Sequence, residues 1–270
     1  MRRGIAIGVP GVALATAGGL WAQVRHTANA PLPHFGDLDP SGRYGSDDGR
    51  RPLRVAVLGD SSMTGPGLSS SADIWIARAA AALGRPVALR SLARGGSRAR
   101  DVLEHQVPRV FDERCDLVVV SVGANDAIHA TPLRSYARAL ERLLDHVADA
   151  APVVSLGIGD LSVIPRLPRT FRPVVARRSV AVDRTHTLVT ADRARVLRVP
   201  VSKLSDHLFR GQQDVLFADD LFHPNRRGHA LWAELFGPYL QRALDLPSRG
   251  GVDRSCGTVI DLRTELTAAR

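Results

Sequence analysis

The sequence predicts an α/β protein in which about five parallel strands are covered by helices on both faces. Three observations carry that prediction. Short apolar runs rich in β-branched residues alternate along the chain with stretches of helical periodicity. The runs are apolar at consecutive positions, as in Leu117–Val122 apart from Ser121, which suits strands buried on both faces. The length of 270 residues, with 44% hydrophobic and 23% charged side chains, fits one soluble domain with tails. Strict alternation of strand and helix implies right-handed crossovers and hence a parallel sheet.

The chain begins Met1-Arg2-Arg3 and continues into an uncharged, mostly apolar stretch, Gly4–Val24. About 20 such residues match a bilayer span, and arginines before it set a cytoplasmic N-terminus. Ala28-Asn29-Ala30 offers a small-x-small cleavage site, so a signal peptide competes with an anchor. Arg25 and His26 make an awkward approach to that site, which favours an uncleaved anchor. Residues 1–24 are therefore read as anchor or signal segment, and residues 25–52 as a flexible linker. Four prolines in Asn29–Pro52 and no apolar periodicity support the linker.

The domain proper is expected over residues 53–245. Strands are predicted at Arg54–Leu58, Val87–Leu92, Leu117–Val122, Pro152–Ile158 and Val196–Val201. Helices are predicted at Asp73–Leu83, stopped by Gly84; Arg98–Gln106, stopped by Pro108; Leu133–Ala148, with leucines at 140, 143 and 144; and about Pro173–Arg193. Pro224 then occupies the favoured first-turn position of a last helix, about Asn225–Leu244. Gly159–Arg169 reads as an irregular loop placed to shape a pocket, and residues 246–270 as a tail.

Net charge is +9, nearly all of it from scattered arginine; Lys203 is the single lysine. Without a basic block or interleaved aromatics, nucleic acid is not an expected partner, whereas mild attraction to anionic surfaces is. Two cysteines, Cys115 and Cys256, make neither a metal site nor a disulfide framework; they read as unrelated thiols, or as a single bridge if the domain lies outside the cytoplasm. No cofactor or metal is expected, and the chain is expected to act as a monomer.

Ser61 falls on the turn between the first strand and the following helix, where open α/β sheets place ligands. The turn, Gly59-Asp60-Ser61-Ser62-Met63-Thr64-Gly65, lacks the lysine of a nucleotide-binding loop. Backbone N–H groups and a helix terminus there favour negative charge. A serine hydroxyl needs a base, and His223 lies just before the last helix. The base needs an acid to fix its tautomer; Asp220, three residues back, reaches it on one turn, with Asp219 as rival. Developing negative charge needs donors, which the Ser61 N–H, the Gly96 N–H and the Asn125 amide would supply.

Four blocks in order, Gly59-Asp60-Ser61, Gly96, Gly123-Ala124-Asn125-Asp126 and Asp220-Leu221-Phe222-His223-Pro224, resemble the SGNH hydrolase superfamily of GDSL-type esterases and lipases. Ser62 stands where the family name carries leucine. Gly96 is assigned from the following Ser97-Arg98-Ala99-Arg100-Asp101-Val102, with Gly95 as rival. The resemblance implies a flavodoxin-like three-layer α/β/α sandwich and a metal-free Ser61–His223–Asp220 site that cleaves acyl or acetyl esters through an acyl-enzyme. It leaves open a small-molecule, lipid or glycan ester, an acyltransferase or an envelope acetyl esterase. A non-catalytic envelope-binding domain is the rival of another class. Asp60 and Asp126 read as turn braces, Ser62 as a capping residue, Asp206-His207 as a solvated loop and His229 as a surface histidine.

Overall fold

The computed structural model describes residues 33–246. The expected anchor or signal segment, nearly all of the tail and Cys256 lie outside the described residues. Among the described residues no helix is long and apolar enough to cross a membrane.

Six strands form one sheet in the order β1-β3-β2-β4-β5-β6. They are β1 (Gly42–Tyr44), β2 (Leu53–Gly59), β3 (Val87–Ser91), β4 (Leu117–Ser121), β5 (Val153–Leu156) and β6 (Val196–Val199). The five expected strands are all present and parallel. Along β2, Val55 and Val57 point into one apolar layer while Ala56 and Leu58 point into the other. Both faces must therefore be covered. Helices α3 (Ala99–His105) and α6 (Leu133–Ala150) cover one face; α2 (Trp75–Ala81) and α10 (Arg226–Ala243) cover the other. The result is the three-layer α/β/α sandwich.

The segment read as a flexible linker is different. Gly42–Tyr44 pairs antiparallel with β3 and makes the edge of the sheet. The Ser91 N–H donates to Ser41 Oγ at 2.9 Å, and the Leu38 N–H to the Thr64 carbonyl at 2.8 Å. Three residues are too few to show a period of two, and nearby prolines mask the signal. One-turn helices also escape the sequence reading: α1 (Ser61–Thr64), α4 (Val107–Val110), α5 (Ala124–Ile128) and α9 (Gln213–Leu216). Helix α8 (Val201–Phe209) replaces the end of the expected fifth strand and contains Asp206-His207, which is therefore not a loop. Helix α7 (Arg172–Thr190) matches the predicted helical stretch, starting one residue earlier and ending three earlier.

With β3 on one side of β2 and β4 on the other, the order of connection reverses between β2 and β4. Ligands in open α/β sheets bind outside the carboxyl ends of strands at such a point. Ser61 follows β2 and Asn125 follows β4.

Candidate active site

Gly59 ends β2 at a φ of +144°, and a Cβ there would lie 2.2 Å from the Ser121 carbonyl oxygen on β4. Only glycine permits that approach. The Gln106 side chain clamps the same residue, accepting from the Gly59 N–H at 2.8 Å and donating to its carbonyl at 2.9 Å. Asp60 then caps α1 by accepting the Ser62 N–H at 3.0 Å. Ser61 is the first residue of that turn, where the N–H has no partner within the helix, and the residue lines a cavity. Ser62 Oγ is 2.7 Å from Ser121 Oγ, tying the turn to β4.

The histidine segment is built on its aspartate. Asp220 is 3% exposed, whereas Asp219 is open to solvent. Asp220 Oδ1 accepts the backbone N–H of Phe222 at 2.9 Å and of His223 at 3.0 Å. Its Oδ2 is 2.6 Å from His223 Nδ1. Burial pushes the Asp220 carboxyl up, but the bonds from the His223 ring and the two amides outweigh it, so the carboxylate is held below its ordinary range. Leu221, between them, takes φ +56°, a left-handed conformation unusual for a branched side chain. Phe222 meets the His223 ring edge-on at 4.9 Å. With Nδ1 turned to Asp220, the other ring nitrogen is the one available to a substrate or to Ser61. Both Ser61 and His223 line one cavity.

Asn125 lines the same cavity and donates its amide to the Ser97 carbonyl at 3.2 Å and to Asp60 Oδ2 at 3.4 Å. It thus spans the first three sequence blocks. The Gly95 N–H is committed to Asp37 Oδ2 at 2.8 Å, and Gly96, with φ +76°, is exposed. Asp37 also accepts from Thr64 Oγ1 at 2.6 Å, so one carboxylate fixes the serine turn against the glycine block. Sequence reasoning missed Asp37 and Gln106. Asp37 sits in the segment read as linker, and Gln106 is one polar residue in a helix; neither belongs to a motif.

The expected turn braces are braces. Asp126 Oδ2 accepts the Ala99 N–H at 2.9 Å, capping α3, and burial pushes both Asp126 and Asp60 up. His229 is not a surface residue. It is 1% exposed, its Nδ1 accepts the Trp75 N–H at 3.2 Å, and burial pushes it down to about 3. An acceptor there satisfies an orphan donor at the start of α2, which a search for metal-ligand spacing does not reveal. Cys115 lies just before β4, and burial raises its thiol to about 11. Among the described residues no group of three or more His, Cys, Asp or Glu is arranged to hold a metal.

The cavity runs from Ser61 and His223 past the ends of β4 and β5 to α8 and α10. Its walls are chiefly Trp75, Leu156, Ile158, Ile164, Phe209, Phe217, Trp232 and Phe236. Asp160, Leu161, Val163 and Ile164 of the loop after β5 contribute one side, as the sequence suggested. Asp206 reaches it from α8, holds the Asp160 N–H at 2.9 Å and is raised by burial to about 6.

Sheet order, serine turn and carboxylate-held histidine together define the class: a hydrolase built on an α/β/α sandwich. Comparison with known proteins agrees. The model of the GDSL-like Lipase/Acylhydrolase family matches residues 57–231. The GDSL-like esterase Rv1075c of Mycobacterium tuberculosis is 30% identical over 218 residues, covering 74% of this chain and 68% of its own. Among solved structures, the psychrotrophic esterase EstA from a Pseudoalteromonas species is 18% identical with a TM-score of 0.55, over 72% of this chain and 99% of its own. Axe2, an acetylxylan esterase from Geobacillus stearothermophilus, is 16% identical with a TM-score of 0.51, over 76% and 99%. At such identities the two structures speak for the fold alone. The chain belongs to the GDSL-like lipase/acylhydrolase family and is a carboxylic ester hydrolase.

Proposed function

We propose that the chain cleaves its esters through an acyl-enzyme on Ser61, with His223 as base and Asp220 as its orienter. The observation that carries this reading is the 2.6 Å bond between Asp220 and His223 Nδ1, on the wall of the cavity that Ser61 also lines. Ser61 Oγ attacks the carbonyl carbon and its proton passes to His223 Nε2. The Asp220 carboxylate stabilises the imidazolium so formed. The oxyanion is held by the N–H groups of Ser61 and Gly96 and by the Asn125 amide. The Gly95 N–H is taken by Asp37, which supports Gly96 over its neighbour. His223 then protonates the departing alcohol, and water, activated by the same nitrogen, releases the acid.

The cavity supports an acyl group longer than acetyl. Its volume is about 140 Å³ and its walls are largely aliphatic and aromatic. A dry void of about 150 Å³ holds a benzene, so about six carbons fit here. Short to medium acyl chains are thus favoured over the acetyl esterase alternative. Residues 1–24 would hold the enzyme at the outer side of a membrane; retention in salt-washed membranes would test that placement.

Ser61→Ala tests the nucleophile. Wild-type protein should take up a fluorophosphonate probe at Ser61 and hydrolyse p-nitrophenyl butanoate and hexanoate faster than acetate. The variant should lose both reactions by orders of magnitude while keeping its fold. Labelling of wild type at a different serine would refute the assignment.

A further inference from the structure

A second cavity, of about 410 Å³, lies between the loop after β5 and helices α7 and α8. It shares Ile158, Gly159, Asp160 and Asp206 with the cavity that Ser61 lines. Those four residues therefore form the partition between the two. The loop follows β5, and β5 is two strands from β2 in the sheet. Two strand spacings put the partition about 10 Å from the serine turn, at the end of the first cavity away from the nucleophile.

The loop side of the partition is pinned in place. The Ile158 N–H donates to Asp183 Oδ1 at 3.2 Å and the Leu161 N–H to Ser179 Oγ at 3.2 Å, so α7 holds the backbone. The Ile158 side chain belongs to one apolar layer of the core. Asp160 spends its carboxylate on the Ser162 N–H at 3.0 Å and on Arg210 at 3.1 Å. Asp206 is the one member that reaches across from the other side. It stands on α8, and its Oδ1 accepts the Asp160 N–H at 2.9 Å. Gly159 makes room for it, since a Cβ there would lie 2.8 Å from that oxygen. The Asp206 side chain thus fills the space between helix and loop. Its carboxyl also ends a cavity whose other walls are chiefly aliphatic and aromatic. An alkyl chain end pressed on that carboxyl would cover a polar group and return no hydrogen bond.

We infer that Asp206 sets the upper limit of acyl length: its side chain closes the far end of the catalytic cavity, and shortening it joins that cavity to the second one and admits longer chains. Val180 and Leu188 of α7 give the second cavity apolar contact for a chain that enters it. The inference rests on the acyl-enzyme reading, since it assigns the first cavity to the acyl half of the ester.

The test measures kcat/KM of the full chain on p-nitrophenyl butanoate, hexanoate, octanoate and decanoate, each below the concentration at which the ester forms micelles. Wild type should turn over decanoate at least about 10-fold more slowly than hexanoate, because the extra carbons overfill the closed cavity. Each methylene that gains a dry site is worth about fourfold, so two of them should raise the decanoate-to-hexanoate ratio by about 10-fold or more in Asp206→Ala. Asp206→Ser is also short but keeps an oxygen; it should show the same shift, and it serves if the alanine variant does not fold. Asp206→Asn keeps the bulk, a polar end and an acceptor for the Asp160 N–H, so its ratio should stay at the wild-type value. Wild type that takes decanoate as readily as hexanoate would overturn the inference. So would short variants that keep the wild-type ratio, or an asparagine variant that shifts as far as alanine. In each of those cases butanoate hydrolysis with labelling of Ser61 leaves the serine esterase standing. Wild type that turns over no ester and takes no label at Ser61 would overturn both.

Discussion

Asn125 is where a structural role and a catalytic role make opposite demands. Its amide now donates to Ser97 O at 3.2 Å and to Asp60 Oδ2 at 3.4 Å, both long bonds. As a brace, it would cost the fold roughly 1–3 kcal/mol when lost, because Asp60 and the Ser97 carbonyl would each lose a donor. For a domain of this size about 1 kcal/mol shifts Tm by about 2–4 °C, so Asn125→Ala would melt about 2–12 °C earlier. As an oxyanion donor, it would cost about 2.7–4 kcal/mol of transition-state stabilisation, or about 10²–10³ in kcat. The length of both present bonds argues that they are easily exchanged for a short one to a charged oxygen. The expectation is therefore a fall in kcat of at least about 100-fold, little change in KM and a Tm loss at the small end of the range. Slow labelling of Ser61 should persist, because nucleophile and base remain. Ester hydrolysis and thermal melting on the same preparation decide the matter. A variant that melts far earlier yet keeps near-normal kcat in its folded fraction would make Asn125 a brace and leave the oxyanion to the two backbone amides.

Two further outcomes follow from buried groups. Gly59→Ala would drive a methyl to within 2.2 Å of the Ser121 carbonyl at a φ of +144°, so β2 and β4 must part at the serine turn; loss of soluble folded protein, or of both activity and several kcal/mol in denaturant melts, is expected, and a stable active variant would refute the close approach. His229 is held neutral, with its folded value near 3 against an ordinary 6.5. The unfolded chain therefore takes up a proton first, and stability contributed by the neutral ring is lost as pH falls from about 6.5 towards 3. Between pH 6.5 and 4.5 that amounts to on the order of 2–3 kcal/mol. His229→Asn keeps an acceptor for the Trp75 N–H but cannot titrate, so its denaturant-measured stability should fall less over that interval than wild type; parallel pH curves would show that His229 is not buried neutral.

The acidic side of the site shows how much was legible in the chain alone. Three-residue spacing placed Asp220 on His223 because one turn closes that distance, and the structure has the bond at 2.6 Å. The serine turn was legible because a buried strand, a glycine and a short polar run are all local signals. The five parallel strands were legible for the same reason: a run buried on both faces is apolar at most consecutive positions, whatever surrounds it.

Tertiary structure alone decided what depends on distant partners. Asp37, read as part of a linker, reaches Thr64 and Gly95 and so sets two blocks of the site against each other. Nothing in its neighbourhood announces that, because its partners are far along the chain. His229 and Asp206 were read as solvated, and both are drawn inward: one because the first turn of α2 lacked an acceptor, the other because α8 packs against the loop after β5. The cavity is likewise invisible in sequence, since Trp75, Phe209 and Trp232 come from separate helices and meet only when the sheet brings them to one edge. Local sequence determines which backbone conformation and which chemistry each segment can offer. Which groups then face one another, and which are left buried without a partner, is settled by long-range packing.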